Sequence, residues 1–137
     1  MKYLLDSGFL YAVLNDRETD HAAAKTVIDS LTGGVVFPVP AITEVAYLVH
    51  RDLGAIAHAD FLANLPNYEF LLESPSIPDI ERASQVIRKY KDQKIDFVDA
   101  LIVAMAERLN ITKILTVDRR HFQIFRPVHC EAFEIFP

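Results

Sequence analysis

Four acids in this chain, Asp6, Glu44, Asp99 and Asp118, stand where apolar runs begin or end, and carboxylates so placed can be gathered around a divalent metal ion. Asp6 follows Tyr3-Leu4-Leu5, and Asp118 follows Ile114-Leu115-Thr116-Val117. Both runs read as strands, and open parallel sheets bind ligands in the crevice outside their carboxyl ends. Glu44 and Asp99 are expected in the opening turns of two helices, where the helix dipole favours negative charge by roughly 0.3–1 kcal/mol. Crowding costs more than that: two like charges about 4 Å apart repel by about 4 kcal/mol at an effective dielectric of about 20. A cluster of three or four carboxylates therefore calls for a cation, and an all-oxygen ligand set suits Mg2+ or Mn2+. Such a centre can activate water and stabilise charge on phosphoryl oxygens without any protein nucleophile.

Taken singly, each acid has a plainer reading. Asp6 can start a turn, Glu44 and Asp99 can be ordinary first-turn acids, and Asp118 can cap a helix. Their combination carries the inference. Asp96 reads as the cap of the helix that holds Asp99, with an outer metal ligand as the alternative. The histidines at 21, 50, 58, 121 and 129 are scattered and read as structural or solvated. His121 is the exception, because it lies beside Arg119 and Arg120 just beyond Asp118, where a substrate phosphate can approach; such contacts position a strand without reading its sequence. The basic group Arg88, Lys89, Lys91 and Lys94 reads as the solvated face and tail of a helix. Its alternative use is to hold a polyanionic backbone at the acidic crevice.

The elements that must position these residues alternate between short apolar runs and amphipathic segments, a pattern of α/β folds with a mainly parallel sheet. Strands are expected at Lys2–Leu5, Val35–Val39, Tyr68–Leu72 and Lys113–Val117, with an edge strand over Ala132–Phe136. A short helix is expected through Phe9–Leu14. A second is capped by Asp20 and stopped at Gly33-Gly34. Pro40 leads into a helix that Gly54 is expected to end, and another runs from Ala55 to about Leu65. Pro78 suits the first turn of a helix reaching Tyr90, and Asp96 caps an apolar helix over residues 97–108. Phe9, Leu10, Tyr47, Leu48 and Phe61 read as core, with a partner-helix surface as the alternative.

With 137 residues, 51% of them hydrophobic and 24% charged, the chain is expected to fold as a single domain over residues 1–137. A net charge of −5 counts against binding nucleic acid through overall positive charge. Bound divalent cations would reverse the local field at the point where a phosphate must sit. Cys130 is the sole cysteine, which excludes an intramolecular disulfide and a cysteine-based zinc cluster and fits a reducing cytoplasm. The N-terminal apolar stretch is broken at Asp6 and again at Asn15-Asp16-Arg17, too soon for a spanning helix, so no membrane association is expected.

At these residues the chain resembles the PIN-domain family, and within it the stand-alone VapC-type toxin nucleases. The matching segments are Leu4-Leu5-Asp6-Ser7, Thr43-Glu44-Val45, Asp99-Ala100-Leu101-Ile102-Val103-Ala104 and Leu115-Thr116-Val117-Asp118-Arg119-Arg120-His121-Phe122. The resemblance implies a three-layer α/β/α fold with a mainly parallel central sheet flanked by helices. It also implies Mg2+- or Mn2+-dependent endoribonuclease activity, homodimers and a small antitoxin protein that blocks the site. By position, Asp6, Glu44, Asp99 and Asp118 match the family's acidic ligands, and Ser7 and Thr116 match hydroxyl positions near them. Gly8 departs from the small polar residue often found there. Single-stranded or looped RNA is the expected substrate, since its bases can be splayed and its backbone brought to the metal. The competing readings are a non-catalytic binding module on the same fold and an aspartate-based phosphotransferase. The latter wants a second Asp two residues after Asp6, where this chain has Gly8.

Overall fold

Strand β1 (Lys2–Leu5) buries Tyr3, Leu4 and Leu5 in succession, so both of its faces are covered, as expected of a central strand in a parallel sheet. In the computed structural model, which describes residues 1–137, α1 (Ser7–Leu14), α2 (His21–Ser30) and β2 (Gly34–Pro38) follow. The chain continues through α3 (Val39–Asn64), a 3-10 turn (Leu65–Tyr68), β3 (Leu71–Glu73), α4 (Ile77–Lys89) and a second 3-10 turn (Lys91–Gln93). It ends with α5 (Phe97–Leu109), β4 (Lys113–Leu115), α6 (Arg119–Ile124) and β5 (Glu134–Phe136). The five strands form one wholly parallel sheet in the order β3-β2-β1-β4-β5. Helices flank it in the expected three-layer arrangement. From β1 the chain winds outward through β2 and β3, then returns to β4 on the other side. The boundary between β1 and β4 is thus the switch point at which such sheets open a ligand crevice.

Local chemistry accounts for the helix starts near that crevice. Asp96 and Asp99 form a reciprocal capping box at α5, and Ser76 and Asp79 form another at α4 with Pro78 in its first turn. Arg108 near the end of α5 reaches the buried Asp79 at 2.9 Å, and Arg82 reaches Glu107 at 2.7 Å, which fixes α4 against α5. α5 itself is apolar on nearly every side and buries Ala100–Ala106 without a break.

Several boundaries differ from the sequence reading. β2 ends at Pro38 and α3 begins at Val39, which places Glu44 in the second turn rather than the opening one. Stabilisation by the helix dipole fades beyond the first turn, so Glu44 depends on a different partner, described below. Gly54 does end a helix, as expected: its φ of 91° and ψ of 177° are non-helical, so α3 is two helices that meet at a kink there. An added Cβ would meet nothing within 4 Å, so the backbone angle, not space, demands glycine there. Asp20 occupies the cap position of α2 but its side chain makes no capping bond. Tyr68 belongs to the 3-10 turn, and β3 starts later, beyond the left-handed Glu69. β4 stops at Leu115, beyond which Thr116 stays buried with its N–H bonded to the Phe136 carbonyl and Val117 lines the crevice, and β5 begins only at Glu134. Phe9, Leu10 and Phe61 are core as expected, whereas Tyr47 is 64% exposed. No helix is long and apolar enough to cross a membrane.

Candidate active site

Asp6 is the first residue after β1, and its N–H donates to the Leu115 carbonyl at 2.9 Å, which anchors it to the end of β4. Its carboxylate is held on both oxygens: Oδ1 accepts from the Ser7 N–H at 2.9 Å, and Oδ2 accepts from the Thr116 hydroxyl at 2.8 Å. The Thr116 oxygen in turn accepts from the Asp118 N–H at 3.0 Å. One buried hydroxyl therefore links acids that are more than a hundred residues apart. The Ser7 hydroxyl donates to Glu44 Oε1 at 2.7 Å, and this contact replaces the helix-terminus support expected for Glu44. Asp99 is set by the capping box, with its N–H donating to Asp96 Oδ1 at 2.9 Å and its Oδ2 accepting from the Asp96 N–H at 3.3 Å. Asp118 caps α6, where its Oδ1 accepts from the His121 N–H at 3.2 Å.

Asp6, Ser7, Glu44, Asp96, Asp99 and Asp118 line one cavity of about 600 Å3, together with Gly8, Thr43, Tyr47, Leu48, Lys94, Val117 and His121. His121 reaches inward, its Nδ1 lying 2.8 Å from Asp118 Oδ2 and 3.9 Å from Asp99 Oδ2. The Asp118 contact is close, but its alignment is not that of a hydrogen bond. Burial raises the Asp6 carboxyl to about 6, reinforced by Glu44 and Asp96, while the Thr116 hydroxyl pulls the other way. Burial raises Asp99 further, to about 8, with Asp6, Asp96 and Asp118 adding to it. Glu44 is raised by burial and by Asp96, against the lowering from Ser7. With only its own groups, the site relieves crowding by holding protons.

That behaviour fits a divalent cation, which would relieve the same crowding without protons. The donors are carboxylate oxygens, the preference of hard cations. No three of the His, Asp and Glu side chains already converge closely enough to hold an ion. Closing to the roughly 2.0–2.1 Å of a Mg2+–oxygen bond requires side-chain rotation. Asp118, 41% exposed at its side chain, has room for it.

The cavity brings together Asp6, Ser7, Glu44, Asp96, Asp99, Asp118 and His121, all singled out from the sequence. Thr116 is fully buried behind them. Arg119 and Arg120 are exposed and do not line the cavity, because α6 turns them outward while its cap, Asp118, stays at the rim. Of the basic group at 88–94, only Lys94 lines it. Tyr47 is the lining residue whose place the sequence reading missed. Its spacing of three from Glu44 was the available signal, since such residues share a helix face.

An acid-lined crevice at the switch point of a five-stranded parallel sheet defines the class, and residues 3–126 match the PIN domain family, to which the chain belongs. The chain is 34% identical to Ribonuclease VapC26 of Mycobacterium tuberculosis over 134 residues, spanning 98% of this chain and 99% of that protein. Among solved structures it is similar to M. tuberculosis VapC20, described as a sarcin–ricin-loop-cleaving toxin (TM-score 0.76, 21% identity, 82% of this chain and 86% of that one). It is also similar to VapBC2 of Rickettsia felis, solved with a DNA fragment from the promoter (TM-score 0.72, 14% identity, 100% of both chains). At such identities the solved structures attest to the fold.

Proposed function

We propose that this chain is a metal-dependent endoribonuclease, the toxin of a toxin–antitoxin pair, in which Asp6, Glu44, Asp99 and Asp118 hold Mg2+ or Mn2+ at the mouth of the sheet. The observation that carries the reading is the convergence of these acids, drawn from four remote stretches of chain, on one cavity with Asp6 and Asp99 pushed upward. The 34% identity to a ribonuclease along nearly the whole chain supports the substrate class. The toxin–antitoxin complexes among the structural neighbours support a small antitoxin protein as partner.

When bound, the cation supplies Lewis acidity at the phosphoryl oxygens and an activated water. The chain's own residues do the positioning. Thr116 and the Ser7 N–H hold both oxygens of Asp6, and the Ser7 hydroxyl orients Glu44, so two acids are pre-set by one dipeptide and one buried hydroxyl. Asp96 keeps Asp99 in register through the capping box and adds an acid at the rim. His121 lines the cavity with its Nδ1 buried between Asp99 and Asp118, which places its ring at the rim that a substrate backbone would cross. Lys94 supplies positive charge to a cavity otherwise dominated by carboxylates.

Purified chain, free of any partner, is expected to cleave a fluorogenic RNA with Mn2+ or Mg2+ and to lose all cleavage in excess chelator. Asp6→Asn and Asp99→Asn should each abolish the metal-dependent rate while remaining folded by circular dichroism. Chelator-resistant cleavage, or full activity in both variants, refutes the assignment.

A further inference from the structure

Tyr47 is 64% exposed, yet it lines the same cavity as the acids, one helical turn beyond Glu44 on α3. An aromatic ring with this much open surface at the edge of a site has an apolar face free to pack against a flat ligand, and its hydroxyl can stay in water meanwhile. Residues three apart on a helix sit about 5–6 Å apart at Cβ, so Tyr47 and Glu44 leave α3 on the same face and both line the cavity. A nucleotide whose phosphate lies among the acids therefore carries its base within reach of this ring. Lys94 comes to the cavity from a different element, the turn after Lys91–Gln93, where a left-handed backbone at φ 56° fixes its direction. It is the sole lysine or arginine lining the cavity and pairs with no carboxylate.

We propose that Tyr47 is a stacking platform that seats one unpaired nucleobase of the RNA beside the acidic cavity, with Lys94 taking a neighbouring phosphate. The proposal rests on the nuclease reading and names the residue that would select the single-stranded substrate it expects. A π-face accepts any base but only when it is unstacked, and a duplex presents none at that position. The ring sets which strand geometry enters, while the acids act on the backbone.

The chain has no tryptophan, so Tyr47→Trp introduces a lone indole at the platform. With Ca2+ replacing Mg2+, its fluorescence should be quenched by a single-stranded RNA of roughly a dozen nucleotides, within the range such grooves cover. A duplex of the same sequence and an abasic sugar–phosphate oligomer should not quench it. Tyr47→Ala should weaken anisotropy-measured binding of the labelled RNA by about 5- to 150-fold and raise KM with kcat little changed, while Tyr47→Phe recovers most of the affinity. Lys94→Ala should weaken RNA and the abasic oligomer alike. Equal RNA affinity in wild type and Tyr47→Ala, or equal quenching by the abasic oligomer, overturns the platform and leaves the exposed ring to a protein partner. Quenching by RNA in a chain whose wild type cleaves nothing with Mn2+ would instead overturn the nuclease reading and leave the platform standing.

Discussion

Replacing Asp99 by Asn should stabilise the metal-free protein at neutral pH while destroying its activity. In the folded chain the Asp99 carboxyl is raised from 3.8 to about 8, first by burial and then by Asp6, Asp96 and Asp118. Between those pH values the folded state keeps a proton that the unfolded state has released, so stability falls as pH rises from about 4 to about 8. Each pH unit in that window costs about 1.36 kcal/mol, which amounts to a penalty on the order of 4 kcal/mol by pH 7. Asn is neutral throughout, keeps an oxygen to accept from the Asp96 N–H, and removes the penalty. With chelator present, Asp99→Asn should therefore exceed wild type in stability by on the order of 1–4 kcal/mol at pH 7–8, a Tm rise of several degrees, with no gain near pH 4. Saturating Mn2+ should close that gap, since an ion at about 1,000 times its Kd adds about 4.1 kcal/mol to a chain that binds it. Urea unfolding at three pH values, with and without Mn2+, measures all of this. An Asp99→Asn variant no more stable than wild type at pH 8 in chelator would refute the crowding on which the metal site is argued.

The remaining expectations concern its supports. Thr116→Val removes the donor to Asp6 Oδ2 and should raise that carboxyl beyond its present value of about 6. The acid limb of the cleavage pH profile should then move upward by roughly one to two pH units, with Thr116→Ser restoring it; an unshifted profile of lower amplitude would contradict the role. Gly54→Ala puts a side chain on a backbone of φ 91° and should cost about 1–3 kcal/mol by urea unfolding, with cleavage retained. Arg108→Met leaves the buried Asp79 without its cation and should destabilise by about 1–3 kcal/mol by urea unfolding, whereas Arg108→Lys should recover part of the loss.

Much of the site was legible because strand ends and helix caps are local facts. Asp6 and Asp118 follow apolar runs, and Asp96 and Asp99 stand at capping-box spacing, so their neighbours within a turn follow from the chain itself. The acids' shared end of the sheet followed from parallel strands, each carrying its residues to the same edge. Tertiary structure alone decided which groups touch. The early start of α3 moved Glu44 off the helix terminus and onto the Ser7 hydroxyl. The pairing of β1 with β4 brought Thr116 under Asp6, and the short helix after Asp118 turned His121 inward while Arg119 and Arg120 went to solvent. Tyr47 read as core from its composition and proved exposed, because which face of a helix meets the sheet depends on the packing of remote elements. Spacing along a chain sets neighbours within a turn; only the order and register of the strands bring residues a hundred positions apart within hydrogen-bond reach.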